Sequence, residues 1–256
     1  MPSTIAPRNN YCRLSMSSTI SVKPTRITLA LNTLCLLTST WGALKATSVI
    51  LPPSLSEAGH KQFLTVISII ATIFNNATNI INYFIQNKSR ASPDFKEKSD
   101  FVSRHITLPV SLVMESIVAT IYWPLRLFFV SLILHGVDSN AKTPLPVTVD
   151  MAIHLYPILY LLADHYLSGS GSKFKLSEYT AWFIVTSVAF SYFQYLAFLI
   201  NPKKGQAYPY PFLNVKEPYK SVIFIAVSTV TWGYYVLYQK YPPNGIKRLV
   251  GKVYKN

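Results

Sequence analysis

The feature that most constrains this chain is a series of six apolar runs, each close to the ~20 residues that a helix needs to cross a bilayer. The runs cover residues 27–50, 62–86, 107–134, 147–167, 179–200 and 219–239. Runs of this length satisfy their backbone hydrogen bonds internally as helices, which hydrocarbon requires. Only 13% of the 256 residues are charged, about half of the ~25% typical of soluble domains. The sequence therefore predicts an all-α fold, a polytopic membrane bundle of six transmembrane helices.

The positive charge between the runs predicts the orientation of the bundle. If the runs cross in turn, sixteen Lys and Arg residues lie on the side of the two termini and six on the other. Positive residues collect in the cytosol, so both termini are expected to be cytosolic. We divide the chain into a disordered cytosolic tail at 1–26, a six-helix transmembrane domain at 27–240 and a basic cytosolic tail at 241–256. The acid-free first tail also has the composition of a mitochondrial presequence, an alternative that its poor apolar periodicity disfavours.

The formal net charge of +14 raises the question of a nucleic-acid partner. The basic residues lie between the apolar runs and are not gathered with aromatic residues into a groove. Topology and contact with anionic lipid explain them, so no nucleic-acid partner is predicted. Cys12 and Cys35 form no disulfide framework or metal-ligand spacing. The spacing of His60, His135 and His154 matches no standard ligand set, so we predict neither a metal nor another cofactor.

The second run carries a polar stripe along one helical face. Its polar residues recur at spacings of three and four: Thr65, Ser68, Thr72, Asn75, Asn79 and Asn82. Residues at that spacing share one face of a helix. Because lipid cannot satisfy amides, we expect the stripe to face other helices. The stripe begins at Thr65, near one membrane surface, so we predict that any chemistry lies there.

The fourth run opens with two ionisable residues, Asp150 and His154, on one helical face. Such residues are costly inside a membrane and are therefore functional candidates. The Asp150 carboxylate could orient the imidazole. In the predicted topology Thr65 and His154 lie at similar shallow depths on the lumenal side, where a hydroxyl and an imidazole are the minimum for nucleophilic attack on an ester. The alternative is that His154 only hydrogen-bonds across the bundle.

Other polar groups in the runs receive structural interpretations. Asp164 and His165 are interpreted as an interfacial pair on the cytosolic side, and Glu115 and Arg126 as partners of polar groups on neighbouring helices. The Tyr-Pro-Tyr-Pro-Phe segment at 208–212 has two interpretations. It is either an aromatic belt at the membrane surface or a rigid lip over the predicted site.

A set of short motifs resembles one membrane protein family in its order along the chain. The motifs are Lys61 with Phe63-Leu64-Thr65 in the second run, Pro109 and Trp123 in the third, His154 in the fourth, and Tyr208-Pro209-Tyr210-Pro211-Phe212-Leu213 after the fifth. Together they resemble the androgen-induced protein family over roughly residues 27–240. The resemblance implies six spans and, as in animal members, a threonine hydrolase of fatty acid esters of hydroxy fatty acids. It carries the nucleophile onto Thr65 and the base onto His154. Asp150 stands where the animal members have Asn, and the overall pattern is similar to a fungal branch.

These observations together predict an integral membrane lipid-ester hydrolase of the endoplasmic reticulum, the location following from the resemblance. Thr65 is the expected nucleophile, His154 the base and Asp150 its orienting group, with no cofactor and a lipid substrate taken from the bilayer. The alternative is a non-catalytic multispan protein that binds or moves lipid. In that case the polar stripe only holds helices together, through hydrogen bonds of about 0.6 kcal/mol each. The sequence indicates no oligomeric state.

Overall fold

The computed structural model describes residues 23–133, 145–168 and 170–243. Regular structure in these ranges is helical, without strands. The α-helices described are α1 Arg26–Thr47, α2 Pro53–Ser56, α3 Leu64–Asn87, α4 Pro93–Asp100, α5 Leu108–Phe128, α6 Val147–His154, α7 Tyr156–Tyr166, α8 Glu178–Leu199 and α9 Tyr219–Lys240. The prediction of an all-α fold is confirmed. Cys12, His135 and most of the two predicted tails lie outside the described residues.

Six helical segments of the described chain are long and apolar enough to cross a membrane, which confirms the predicted number. They are Arg26–Thr47, Leu64–Asn87, Pro93–Phe128, Val147–Tyr166, Glu178–Lys204 and Tyr219–Lys240. The short helix α2 lies in the connection between the first two of them. The orientation of these spans follows from the charge distribution alone and stays a prediction.

The third span differs most from the sequence prediction, because it begins at Pro93 instead of residue 107. The Ser92 hydroxyl accepts the Phe95 N–H at 3.3 Å and caps the helix, while Pro93 occupies the first turn, where its missing N–H costs nothing. α4 then continues through a π-helical turn, Phe101–Thr107, into α5. The charged residues of α4 lower the local hydropathy, which is why the sequence indicated a loop. The span also ends earlier than expected, at Phe128.

The fourth span consists of two helices, α6 and α7, separated by a break at Leu155. Pro157 causes the break, since it has no N–H to donate and its ring clashes with the carbonyl four residues earlier, that of Ile153. Leu155 adopts φ −128° and ψ −54°, and α7 resumes at Tyr156. His154 is therefore the last residue of α6, and its carbonyl is available to a donor from another helix.

The polar stripe of α3 is buried at the centre of the bundle, between α1 and α5. Each of its six predicted residues is at most 9% exposed. Its cross-helix bonds join Thr72 to Glu115 (2.7 Å), Asn79 to Ser103 (2.8 Å), Asn75 to Thr107 (2.9 Å) and the Ala71 carbonyl to Ser111 (3.0 Å). The expectation that the stripe faces other helices is confirmed, and these bonds give α3 one register against the third span.

α1 packs closely against α6, and Gly42 permits this close approach. A Cβ at Gly42 would lie 2.8 Å from Ile153 Cγ2 and 2.9 Å from Ala152 Cβ. Carbon atoms pack best at about 3.5–4.0 Å, so a side chain there would push α6 away. The backbone of α1 therefore supports the turn that ends at His154.

α8 and α9 form a hairpin that packs on the bundle mainly through α9 against α5. Their outer faces carry exposed apolar side chains, among them Trp182, Phe183, Phe190, Phe198, Val222 and Ile225. Such faces suit contact with lipid. A bond at one end ties the hairpin to the core, where the Tyr192 hydroxyl donates to the Gln62 carbonyl at 2.7 Å.

A buried ion pair lies at the end of the bundle opposite Thr65. Arg104 of the π-helical turn donates to Asp164 Oδ2 at 2.5 Å and to Ser170 Oγ at 2.7 Å. Ser170 Oγ in turn lies 2.8 Å from the Thr28 hydroxyl oxygen. This corrects the interpretation of Asp164 and His165 as an interfacial pair, because each is 1% exposed and the partner of Asp164 is Arg104. The sequence placed Arg104 in a loop and so offered no buried partner.

Candidate active site

Thr65 lies in the first turn of α3, where a tight turn leads the chain into the bundle. Gly59 has a φ of +64°, a left-handed conformation that glycine adopts without a steric penalty. The Gln62 amide donates to the carbonyls of Leu55 and Gly59, both at 2.9 Å. These bonds set the direction of the 3-10 turn His60–Gln62. The position of Thr65 is therefore fixed before α3 begins.

His154 faces Thr65 from the end of α6 and is held by two aromatic residues of α5. Its carbonyl, freed by the helix break, accepts the Trp123 indole N–H at 3.1 Å. The Tyr122 ring stacks on the imidazole, with centroids 3.4 Å apart and planes inclined by 2°. The imidazole cannot rotate about χ2 without losing this stack. Its orientation toward Thr65 is therefore determined by α5.

The three predicted site residues lie together in one hydrogen-bonded row. Thr65 Oγ1 is 3.3 Å from His154 Nε2, a loose hydrogen bond. His154 Nδ1 is 2.9 Å from Asp150 Oδ1 and 3.1 Å from the Asp150 carbonyl oxygen. Because both neighbours of Nδ1 are acceptors, the proton belongs on Nδ1 and Nε2 presents its lone pair to the Thr65 hydroxyl. In this arrangement an imidazole can act as base toward a hydroxyl.

Asp150 has two further partners on α5 that sequence reasoning did not assign to the site. The Tyr122 hydroxyl donates a short hydrogen bond to Oδ1, and Arg126 Nε donates to Oδ2 at 3.3 Å. Asp150 is only 2% exposed, so a paired cation is what allows its charge to be retained inside the protein. Tyr122 and Arg126 are four residues apart and share one helical face. That spacing is the sequence signal that could have identified both residues as partners of one site.

Tyr210, in the aromatic segment before α9, caps the first turn of α3. Its hydroxyl accepts the Leu64 N–H at 3.1 Å, which satisfies one of the donors that a helix start leaves unpaired. Its ring meets Phe63 edge-on at 5.9 Å and stacks on Phe212 at 5.4 Å. Burial raises the pKa of the Tyr210 hydroxyl above its ordinary value, although hydrogen bonds with Thr65 and the Leu64 N–H partly lower it. A protonated phenol therefore lies beside the Thr65 hydroxyl.

Two apolar cavities meet at Thr65. The larger, with a volume of ≈570 Å³, lies between α5 and the α8–α9 hairpin and extends from Thr65 and Tyr210 to Phe101 and Lys175. The smaller, of ≈110 Å³, lies between α1 and α3. The larger volume is within the range of roughly 300–1,000 Å³ found for small-molecule sites. The site is thus a hydroxyl between two spaces lined by hydrocarbon.

His60, the other described histidine of the three considered as metal ligands, does not join the row. His60 Nε2 lies 3.1 Å from the Val49 carbonyl oxygen, and His135 lies outside the described residues. Within the described ranges, no three His, Cys, Asp or Glu side chains are grouped closely enough to hold a metal ion.

Comparison with known proteins assigns the whole bundle to one family. The sequence model that describes the FAR-17a/AIG1-like proteins matches residues 25–241. The chain belongs to the FAR-17a/AIG1-like family. This confirms the resemblance to the androgen-induced proteins noted in the sequence. The matched range contains all six spans and every residue of the hydrogen-bonded row.

Two fungal membrane proteins are similar to this FAR-17a/AIG1-like chain. The UPF0641 membrane protein YHR140W of Saccharomyces cerevisiae is 74% identical over 233 residues, which cover 91% of this chain and 98% of the relative. The UPF0641 membrane protein PJ4664.05 of Schizosaccharomyces pombe is 26% identical over 176 residues, 68% of this chain and 71% of the relative. Both names describe membrane proteins, in agreement with the membrane-spanning helices found here. No solved structure matches the chain.

Proposed function

We propose that this protein is a membrane hydrolase of lipid carboxylic esters, with Thr65 as nucleophile and His154 as general base. The observation that carries the proposal is the row of Thr65, His154 and Asp150, with distances of 3.3 and 2.9 Å, at the meeting point of two apolar cavities. A buried hydroxyl, imidazole and carboxylate in this order form the general arrangement for nucleophilic catalysis. Apolar walls on both sides suit an ester with two hydrocarbon arms.

In the first half of the proposed reaction, Thr65 Oγ1 attacks the carbonyl carbon of the ester while its proton passes to His154 Nε2. The tetrahedral intermediate then collapses. The bond from carbon to the alcohol oxygen breaks, and the imidazolium returns the proton to that oxygen. The alcohol leaves, and the acyl group remains as an ester of Thr65.

In the second half, water attacks the acyl carbon and gives its proton to His154. The bond to Oγ1 then breaks, and Oγ1 recovers a proton, which releases the carboxylic acid. Asp150 accepts the Nδ1–H of His154 throughout and so stabilises the imidazolium that forms twice per cycle. Asp150 is therefore a positioning residue, which acts through His154.

The negative charge that develops on the carbonyl oxygen needs a hydrogen-bond donor, and we assign Tyr210 to this role. Its hydroxyl oxygen accepts the Leu64 N–H, and its own proton, which lies beside Thr65, can turn to the substrate oxygen when an ester is bound. Because Tyr210 is bonded to an N–H of the first turn of α3, the positive end of the helix dipole also favours negative charge at this position. Donors placed in this way stabilise the transition state more than the ground state.

The substrate class and location that we propose follow from the family resemblance and the charge distribution. Fatty acid esters of hydroxy fatty acids have two hydrocarbon arms, which matches two cavities at one hydroxyl. The site would lie near the lumenal surface of the endoplasmic reticulum membrane. A glycosylation test checks this orientation: the Asn87-Lys88-Ser89 sequon should stay unmodified, whereas a sequon engineered into 201–218 should be used. The reverse pattern would overturn it.

The test of the proposal is labelling by a fluorophosphonate probe, which reacts with activated hydroxyl groups. Wild type and Thr65→Ser should label, whereas Thr65→Ala and His154→Ala should not, with thermal unfolding as the folding control. Thr38→Ala is a matched control, because that half-buried hydroxyl bonds to carbonyls of its own helix, α1. Labelling of folded Thr65→Ala at the wild-type level would remove the proposed nucleophile.

The same cavities support a second function, a protein that binds or moves lipid without chemistry. The observation that favours it is the set of cross-helix bonds made by the polar stripe, which explains the stripe by packing alone. That function predicts an unlabelled wild type and the same lipid binding in Thr65→Ala and Thr65→Ser.

A further inference from the structure

The far end of the larger cavity carries a positive charge that the proposed chemistry does not use. Lys175 and His105 line this end together with Phe101. Lys175 Nζ is 5.6 Å from the centroid of the Phe101 ring, and the His105 ring is 5.9 Å from it. An ammonium and an imidazole therefore lie beside one aromatic ring at the end of an otherwise apolar space.

Neither of the two groups is neutralised by a partner in the described ranges. Lys175 forms no ion pair there, whereas Arg104, one position from His105, is already engaged with Asp164. His105 is 8% exposed and its buried Nδ1 has no hydrogen-bond partner. Buried polar atoms of native proteins are usually paired. Asp100, the residue before Phe101, accepts the Asn82 amide at 3.4 Å.

The register of the helices gives the distance from this end to Thr65. Ser103 bonds to Asn79 and Thr107 bonds to Asn75. His105 is midway between Ser103 and Thr107 and is therefore level with residues 75–79 of α3. These residues lie ten to fourteen positions beyond Thr65, or about 15–21 Å at the helical rise. Carbon bonds of ~1.5 Å at ~111° advance about 1.25 Å per atom in an extended chain. The separation corresponds to a chain of roughly 12–17 carbons.

We propose that Lys175 and His105 form an anion subsite that binds the carboxylate of a long-chain fatty acid, whose hydrocarbon lies along the cavity toward Thr65. A carboxylate fits better than a phosphate, because one ammonium and one imidazole match a single charge, and Arg104 is not free to form the bidentate contact that phosphate favours. Lys175 is exposed, as a lysine at a membrane surface should be.

The subsite rests on the proposed function only in one respect, the placement of an ester bond at Thr65. An ester substrate bound in this way has one arm that ends in a carboxylate, and its ester bond reaches Thr65 when about 12–17 carbons separate the two groups. The product released at Thr65 from that arm remains a ligand of the same subsite.

The test is a binding experiment on the purified Thr65→Ala protein, in which hydrolysis plays no part. A fluorescent fatty acid is displaced by hexadecanoate, methyl hexadecanoate, octanoate or hexadecyl phosphate. Hexadecanoate should displace it most strongly. Lys175→Gln should weaken the binding of hexadecanoate by about tenfold, the effect of one charge-assisted bond. The affinity for the methyl ester should not change. Lys173→Gln, an exposed lysine of the same segment, is the matched control and should change nothing.

Three results would overturn the subsite: equal weakening of the acid and the methyl ester, equal effects of Lys173→Gln and Lys175→Gln, or stronger displacement by the phosphate. The outcome is separate from that of the hydrolase proposal. Binding by Thr65→Ala persists if the protein has no catalytic activity. If wild type hydrolyses esters but Lys175→Gln does not weaken carboxylate binding, only the proposed subsite is refuted.

Discussion

The buried pair of Arg104 and Asp164 allows a prediction whose magnitude follows from the structure. Both side chains are at most 3% exposed, and Arg104 also donates to Ser170. Arg104→Gln leaves the Asp164 carboxylate buried without its cation, and breaking a buried pair in this way costs about 3–5 kcal/mol. Asp164→Asn should cost a similar amount, because the guanidinium then remains unpaired. The free energy of unfolding is measured by detergent titration in mixed micelles.

The double variant tests the reasoning, since it removes both charges together. If the cost of each single variant is that of an uncompensated buried charge, the double variant should be more stable than the sum predicts, by about 1–3 kcal/mol. Arg90→Gln, at an exposed position, should change stability by no more than about 0.5 kcal/mol. Additive single effects, or an Arg104→Gln cost no larger than that of Arg90→Gln, would refute the assignment of this pair to a buried environment.

The remaining predictions concern the site. Thr65→Ser should retain part of the labelling and hydrolysis, since the hydroxyl stays within reach of His154, whereas loss equal to that of the alanine variant would contradict a simple nucleophile. Tyr210→Phe should lower kcat by about 10²–10³ with little change in KM, and Tyr195→Phe, which removes a weak exposed bond, should not; equal kcat values would exclude Tyr210 as a donor. Asp150→Asn should lower kcat about tenfold, because a neutral acceptor stabilises the imidazolium less, and an unchanged kcat would argue against its positioning role. Because burial raises the pKa of Tyr210 above its ordinary value, the donor is protonated below that value and lost only above it. The rate of hydrolysis by wild type should therefore show no alkaline decline below about pH 10 that comes from Tyr210. A decline at lower pH in wild type that is absent from Tyr210→Phe would contradict this.

The spans and the inward direction of the polar stripe could be predicted because each depends on local pattern. Length and hydropathy define a span, and a spacing of three and four defines a helical face, whatever the neighbours are. The break at Leu155 could also have been anticipated, since Pro157 has the same effect in any helix. The third span was wrong at both ends. Its start was missed because charged residues at a membrane surface have the composition of a loop.

The partners across the bundle could not be predicted in the same way. That Tyr122 stacks on His154, or that Arg104 pairs with Asp164, depends on the rotation and depth of two separate helices. A rotation of one residue, about 100°, would turn either side chain elsewhere. Thr65 and His154 were placed at the same depth by topology alone, and their distance of 3.3 Å required the structure.

The hydrogen bonds of the α3 stripe have a consequence for how the protein responds to membranes of different thickness. A helix held only by lipid contacts can tilt or slide when the bilayer thins. α3 is bonded to the third span at four levels, from Ala71 to Asn79, so sliding would break several buried bonds together. We therefore expect a thicker or thinner bilayer to move α3 and the third span as one body, with His154 held to that span by the Trp123 indole.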